Sequence, residues 1–206
     1  GLDMAPEWYR FPVFYFSNPA SMYGPDDVVP YPRGSHALDY ELEVACVVKD
    51  EVRNVSAARA AEHIAGYTIM NDWSARDLQR EEMTVGLGPA KGKDFATTLG
   101  PYLVTPDELE ARRVGDRHDL AMVARVNGRE RSRGNLADLF WTFPQMIERA
   151  SANTRLRPGD VLGSGTVGTG CLLELGAEAD GWLQPGDVVE LEVEGLGVLR
   201  NVVEGR

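Results

Sequence analysis

The chain has 206 residues, enough to bury one sizeable core, so we expect a single domain over residues 1–206. Its formal net charge of −11 at pH 7 predicts repulsion from phosphate backbones and anionic lipids, which argues against nucleic acid and membrane partners. No apolar run approaches the roughly 20 residues that cross a bilayer, so we expect a soluble, cytoplasmic protein.

The cysteine content also favours the cytoplasm, which is a reducing compartment. Cys46 and Cys171 are the two cysteines of the chain, and each lies among small or apolar residues. That environment is typical of reduced, buried thiols rather than of a disulfide or a redox pair. We therefore expect both thiols to be structural.

Segments of strand character dominate the first half of the chain. We predict a strand over residues 39–48, a helix over 56–65 that ends at Gly66, and a strand over 67–70. A short helix is predicted over residues 74–82.

Turn residues punctuate the second half. Asn127-Gly128 supplies the positive φ angles of a tight hairpin, which predicts paired strands over residues 120–126 and 130–133. Isolated helices that do not alternate with strands indicate a mainly β fold of the α+β class, built from mixed sheets. The remaining predicted elements are a helix from a capping box at Thr142 to about residue 150, turns at 157–160 and 184–187, and an antiparallel pair over 187–194 and 198–203.

The segment Asp39-Tyr40-Glu41-Leu42-Glu43 carries acidic residues at every second position. Side chains alternate across a strand, so these carboxylates share one face, with Glu41 and Glu43 about 6.6 Å apart at the backbone. Clustered, partly desolvated carboxylates repel each other unless a cation neutralises them, and hard divalent ions prefer oxygen ligands. The alternative is a solvated acidic edge that alternates with core leucine and valine.

A second acidic position follows at Asp72, where a β run gives way to a helix. A carboxylate at a strand end can serve as a metal ligand while neighbouring polar residues brace the turn. The alternative is that Asp72 or Asn71 simply caps the helix.

At these motifs the sequence resembles the fumarylacetoacetate hydrolase family, from about Pro12 to the C-terminus. The family pattern combines a D-Y-E-x-E strand, an N-D-x-S-A-R-D-x-Q block, a G-K-x-F loop beside T-x-x-G-P, and a T-G-T or S-G-T turn. The matching segments here are residues 39–43, 71–79, 92–95 with 98–101, and 163–166.

The resemblance implies a mixed-sheet β-roll of the family's C-terminal domain type with a few short helices, and usually a homodimer. It implies a Mg²⁺ or Mn²⁺ ion, with Ca²⁺ as an alternative, held by Glu41, Glu43 and Asp72. It also marks Lys93 as an active-site cation, Arg76 and Gln79 as residues near or bracing the substrate, and Thr166 as a contact to its carboxylate. A solvated surface lysine is the competing interpretation of Lys93.

Two departures from the family pattern bear on catalysis. The family's catalytic histidine lies upstream of the Pro12 region, where this sequence has none, and the chain opens at Gly1 without a methionine. We therefore leave that histidine to a segment before Gly1 and interpret His36, His63 and His118 as structural or exposed. Its glutamate partner corresponds to Glu174 in the Leu-Glu-Leu step after the 163–166 turn, with a strand's outer face as the competing interpretation.

The resemblance implies a metal-dependent hydrolase that cleaves a carbon-carbon bond in a small acidic 1,3-diketone, either fumarylacetoacetate-like or an acylpyruvate. Related members decarboxylate, isomerise or hydrate 2-oxo dicarboxylic acids on the same metal platform, so a lyase or isomerase remains the main alternative. A metal-binding scaffold without a general base is the minor one. The expected partner is a small oxo-acid or diketo-acid.

Overall fold

The computed structural model describes residues 5–177 and 181–205, so Gly1 lies outside the described residues. Within those ranges the helices are α1 (Ala57–Ala60), α2 (Arg76–Met83) and α3 (Phe143–Ser151). In the same ranges the strands are, in chain order, β1 (Met22–Tyr23), β2 (Val28–Val29), β3 (Leu38–Asp39), β4 (Leu42–Val48), β5 (Ile64–Asp72), β6 (Ser74–Ala75), β7 (Thr97–Leu99), β8 (Arg113–Val114), β9 (Arg117–His118), β10 (Ala121–Val126), β11 (Arg129–Asn135), β12 (Val161–Gly163), β13 (Val188–Val193) and β14 (Gly197–Val203).

β4 and β5 form the centre of the first sheet, in which the described strands follow the order β1-β7-β5-β4-β12. β4 buries every residue except the half-buried Val47, as expected for a run that is apolar on both faces. β1 pairs with β7 in parallel, whereas the other pairs are antiparallel. The first sheet is therefore mixed.

The second sheet has the order β11-β10-β13-β14-β2 among the described strands. Its hairpin between β10 and β11 turns at Asn127 and Gly128, which have φ angles of 52° and 75°. β13 and β14 form the predicted C-terminal antiparallel pair. The two sheets pack against each other through β5, which contacts β13 and β14, and the hydrophobic core fills the space between them.

The N-terminal segment contributes an edge strand to each sheet. β1 pairs with β7 through Met22 and Tyr23. β2 pairs in parallel with β14, which places Val28 beside Val202. Residues near the start of the described chain thus complete both sheets.

The structure confirms the mainly β, mixed-sheet architecture with a few short helices. It also confirms the capping box of α3, in which the Thr142 hydroxyl accepts from the backbone N–H of Gln145. The predicted helix over residues 56–65 is too long, because β5 begins at Ile64, which pairs with Val48. Sheet pairing of a β-branched residue outweighs the helix propensity of the preceding alanines. Among the described residues, no helix has both the length and the apolar character to cross a membrane.

Candidate metal centre and active site

The acidic segments are brought together by strand register. The predicted strand over residues 39–48 is interrupted, since β3 ends at Asp39 and β4 begins at Leu42. The β3–β6 and β4–β5 pairings nevertheless keep one antiparallel register, which places Glu41 opposite Asp72. The Glu41 backbone N–H donates to Asn71 Oδ1 at 3.0 Å and holds the gap between the strands closed.

Three buried carboxylates converge at this gap. One oxygen from each of Glu41, Glu43 and Asp72 lies within 4.8 Å of the others. The three residues are 8%, 3% and 3% exposed, so the solvated acidic edge is not what the structure shows. Gly163 leaves room for the cluster, because a Cβ there would lie 2.7 Å from Glu43 Oε2.

Lys93 reaches the same cluster from the loop before β7. Its Nζ donates to Glu41 Oε2 at 2.6 Å and to Asp72 Oδ2 at 3.1 Å, and the residue is 2% exposed. Lys93 is therefore not a solvated surface lysine.

Arg76, the first residue of α2, lies on the other side of Glu41. Its Nε donates to Asp39 Oδ2 at 2.8 Å, and its guanidinium lies 2.9 Å from Glu41 Oε1. Arg76 Nη1 also donates to Gln79 Oε1 at 3.0 Å. Asp39 is thus engaged with Arg76, and Gln79 is tied to the cluster through the same guanidinium.

The charges of the cluster shift its protonation equilibria. Burial raises the pKa of Glu41, but the charges of Lys93 and Arg76 outweigh burial and hold that pKa below its usual range. Burial and the charge of Glu41 raise the pKa of Glu43. Burial also raises the pKa of Asp72, against the opposing effect of Lys93. Without further positive charge, the cluster therefore favours protonation of Glu43.

Thr166 lies on the loop that follows β12, and this loop contacts Glu43 through Gly165. The backbone N–H of Gly165 donates to Glu43 Oε2 at 3.1 Å, and Gly165 has a φ of +78°, which favours glycine. Thr166 is half-buried on this loop. The predicted substrate contact is therefore one residue away from a direct backbone contact to the carboxylate cluster.

Glu174 is exposed and lies on a turn over residues 172–176, not on a strand. Its carboxylate accepts a hydrogen bond from the Gly170 backbone N–H at 3.1 Å. The same turn is fixed to the site indirectly, because the N–H groups of Leu172 and Leu173 donate to the Asp39 carboxylate at 2.8 and 3.1 Å. The backbone of this turn is thus hydrogen-bonded to Asp39, whereas the Glu174 carboxylate is hydrogen-bonded to Gly170.

The histidines make contacts elsewhere in the described structure. His36 is exposed, His63 is hydrogen-bonded to Asp50, and His118 packs its ring edge-on against Tyr67. The exposure of His36 and the contacts of His63 and His118 agree with the interpretation of these residues as structural or exposed.

Tyr15 is a contact that the sequence analysis missed. Its hydroxyl donates to Asp72 Oδ2, and the Lys93 ammonium lies 5.8 Å from the centre of its ring. Tyr15 stands in an aromatic run 57 residues before Asp72, where no spacing or polar pattern distinguishes it from its neighbours.

A comparison with protein families decides the assignment of the fold. Residues 2–204 match the model described as Fumarylacetoacetate (FAA) hydrolase C-terminal. The chain belongs to the fumarylacetoacetate hydrolase family. The expected fold of that family's C-terminal domain is thereby confirmed.

Similar proteins include both hydrolases and isomerases. The fumarylacetoacetase of Arabidopsis thaliana is 35% identical over 82% of this chain, which spans 51% of that protein. A 5-carboxymethyl-2-hydroxymuconate delta-isomerase from Mycobacterium smegmatis is 35% identical, with a TM-score of 0.79 over 95% of this chain and 70% of that one. A fumarylpyruvate hydrolase from Pseudomonas aeruginosa, solved with Mn²⁺ and pyruvate, is 25% identical, with a TM-score of 0.80 over 99% of this chain and 83% of that one.

The donor set of this family member fits a divalent ion. Oxygen ligands at about 2.0 to 2.5 Å from a central ion lie at most about 4 to 5 Å apart, which agrees with the 4.8 Å limit. Asp72 Oδ1 is buried and has no hydrogen-bond partner within the described part of the chain. If Asp39, Glu41, Glu43 and Asp72 are all ionised, Arg76 and Lys93 offset only half of their charge. In that fully ionised state, in which Glu43 has lost its proton, the uncompensated charge of −2 would match a divalent cation.

Proposed function

We propose that this chain is a divalent-metal-dependent hydrolase that cleaves a carbon-carbon bond in a small acidic 1,3-diketone. The substrate class is an acylpyruvate or a fumarylacetoacetate-like diketo-acid. The observation that carries the proposal is the buried cluster of Glu41, Glu43 and Asp72 with Lys93 held against it. These three carboxylates would hold Mg²⁺ or Mn²⁺, with Ca²⁺ as an alternative. The Mn²⁺ and pyruvate in the Pseudomonas aeruginosa hydrolase support both the ion and the oxo-acid.

Carbon-carbon hydrolysis requires that the departing carbanion be stabilised as an enolate. A bound divalent ion supplies Lewis-acid stabilisation of substrate oxygens. Lys93 adds a fixed, buried positive charge where negative charge develops, and buried charges act more strongly than solvated ones. Arg76 orients Glu41 and Gln79, and Gln79 and Thr166 contact the substrate.

Hydrolysis also requires a base that activates water. We propose Glu174 for this role, in partnership with a histidine. Its support is its place on the turn whose backbone N–H groups bind Asp39. Glu174→Gln should remove diketone hydrolysis, because an amide cannot accept the proton. Metal affinity should stay nearly unchanged, since Glu174 is not among the proposed ligands.

The second candidate is an isomerase, decarboxylase or hydratase that acts on a 2-oxo dicarboxylic acid. The 35% identity to the Mycobacterium smegmatis isomerase favours it specifically. A non-catalytic metal-binding scaffold is the third. The hydrolase, isomerase, decarboxylase and hydratase reactions would all pass through an enolate stabilised by the metal ion. The test must therefore separate them by their products.

The deciding assay is a panel of acylpyruvates, fumarylacetoacetate, oxaloacetate and 2-oxo-3-enoates, with Mg²⁺ or Mn²⁺ and then with EDTA. Diketone cleavage that EDTA abolishes and Glu174→Gln removes is the expected result. Carbon dioxide release from oxaloacetate alone, unaffected by Glu174→Gln, would establish the lyase instead. Ketonisation without cleavage would establish the isomerase, and metal binding without turnover would establish the scaffold.

We further propose a cytoplasmic homodimer. Both cysteine thiols are free and buried, which suits a reducing compartment. Exposed aromatic side chains, such as Trp8, Phe16 and Phe140, offer apolar area for a subunit contact. Light scattering coupled to size exclusion should give twice the chain mass, and a monomer across a wide concentration range would contradict the dimer.

A further inference from the structure

A carboxylate outside the metal cluster holds the loop that leads to Lys93. Glu82 lies in the last turn of α2, and its side chain accepts three backbone hydrogen bonds from the far end of that loop. Oε2 accepts from Ala90 at 2.8 Å and from Gly92 at 3.1 Å, and Oε1 accepts from Lys91 at 2.7 Å. Three successive N–H groups are thereby directed at one carboxylate immediately before Lys93.

The same backbone is fixed on its other side by α2 and β6. The Gly92 carbonyl accepts from the Ala75 N–H at 2.8 Å. A Cβ at Gly92 would lie 2.7 Å from the Gln79 backbone nitrogen, so the two backbones are in direct contact. The loop therefore returns to the helix that carries Arg76 and Gln79.

We propose that Glu82 is a positioning residue that sets the place of the Lys93 ammonium between Glu41 and Asp72. The inference rests on the proposed function only for its effect on turnover, since the loop contacts are independent of the reaction. Glu82 itself is not among the residues that contact the carboxylate cluster. It acts by fixing the backbone of residues 90–92, from which the Lys93 side chain enters the core.

The geometry of Lys93 explains why this support matters. Its ammonium makes contacts of 2.6 and 3.1 Å to two carboxylates, one in the gap between β3 and β4 and one at the end of β5, so a small backbone shift breaks at least one of them. Charge-assisted hydrogen bonds are short and directional, and a displacement of about 1 Å in a positioning element can cost about 100-fold in rate. The first turn of α2 thus contributes Arg76 to the site. Its last turn contributes Glu82, which sets the position of Lys93.

The first test measures the burial of Lys93 without using activity. The Mg²⁺-loaded protein is pulse-labelled with an acetylating reagent, and mass spectrometry gives the labelling of Lys93 relative to Lys49, an exposed residue outside this loop that serves as the internal reference. In Glu82→Gln this ratio should rise about tenfold, the change expected from losing a hydrogen bond to a charged group. Glu82→Asp, which keeps the charge but ends one methylene short, should give an intermediate ratio.

Glu81→Gln is the matched control, because Glu81 is an exposed neighbour and the change removes the same charge. Its ratio should equal that of the wild type. An unchanged ratio in Glu82→Gln, or an equal rise in Glu81→Gln, would overturn the positioning role. Circular dichroism of each variant checks that the fold is retained.

The second test uses turnover of the best diketone. Glu82→Gln should lower kcat by about 10- to 100-fold while metal affinity by calorimetry changes less than about twofold. Unchanged kcat together with a raised labelling ratio would overturn the link from position to catalysis. Absence of diketone turnover in the wild type would refute the proposed function, while the labelling ratio would still decide the role of Glu82.

Discussion

Replacement of Arg76 by methionine should destabilise the protein strongly, because the guanidinium neutralises a carboxylate in the core. Arg76 is 6% exposed and Asp39 is 0% exposed, and they are joined by a 2.8 Å hydrogen bond. Methionine retains much of the aliphatic length but leaves the Asp39 charge without its cation. Glu41 loses the same partner but keeps Lys93.

The expected loss of unfolding free energy depends on the hydrogen bonds that Asp39 retains in the variant. Removing one partner of a buried ion pair costs about 3–5 kcal/mol. Asp39 still accepts from two backbone N–H groups, those of Leu172 and Leu173, so we expect the lower end, about 3 kcal/mol. The control is Arg59→Met: Arg59 lies 3.4 Å from Glu62, with both side chains more than 60% exposed. Such a pair contributes at most about 0.5 kcal/mol.

Urea denaturation at pH 7 with EDTA measures the free energy of unfolding without a contribution from metal binding. A loss of less than about 1 kcal/mol in Arg76→Met would refute the reasoning. A second check is Asp39→Asn in the Arg76→Met background. If the cost arises from the unpaired charge, removing that charge should restore about 1–2 kcal/mol, and additive losses would contradict it.

Four further predictions, three on variants and one on the native thiol of Cys46, test other groups. Glu43→Ala should abolish stoichiometric Mg²⁺ or Mn²⁺ binding in calorimetry, and undiminished binding would contradict its role as a ligand. Lys93→Met should lose turnover but keep metal binding; turnover within about twofold, or ~0.4 kcal/mol, would make Lys93 a bystander. Burial and then Arg113 lower the pKa of His118, so its contribution to stability is complete above about pH 6.5 and is lost as the pH falls. His118→Gln should therefore lose less stability than the wild type between pH 7 and 5 in urea titrations. Burial raises the pKa of Cys46 to about 12, so Ellman's reagent should react with it only on unfolding, and rapid reaction in the native protein would refute this.

The acidic segment over residues 39–43 shows how much of the carboxylate cluster can be predicted from the alternation of side chains along a strand. Alternation predicted that Glu41 and Glu43 approach one point, and the structure brings them together with Asp72. The same alternation placed Asp39 beside them, whereas Asp39 lies across the strand gap and is bound to Arg76. Pattern within one segment gives the face of a residue, but the partner strand's register decides which neighbour it meets.

Contacts between segments that are distant in sequence could not be predicted from local sequence patterns. Tyr15 contacts Asp72 across 57 residues of sequence, and no local pattern encodes that contact. Glu82 looks like any acidic residue on a solvated helix, and its role depends on the path of the loop after Thr84. The Leu-Glu-Leu step at Glu174 reads as a strand by composition but forms a turn, because Asp39 takes the backbone N–H groups that a strand would pair.

The parallel pairing of β2 with β14 affects how the protein can fold during synthesis. Val28 leaves the ribosome 174 residues before Val202, its neighbour in the sheet. An edge strand of the second sheet must therefore wait, unpaired, until β14 has been translated. Contacts of such long sequence separation slow folding and leave strand edges open to association with other chains. We expect nascent chains that stop before β14 to need chaperone protection, whereas translation of β14 lets β2 pair with the second sheet.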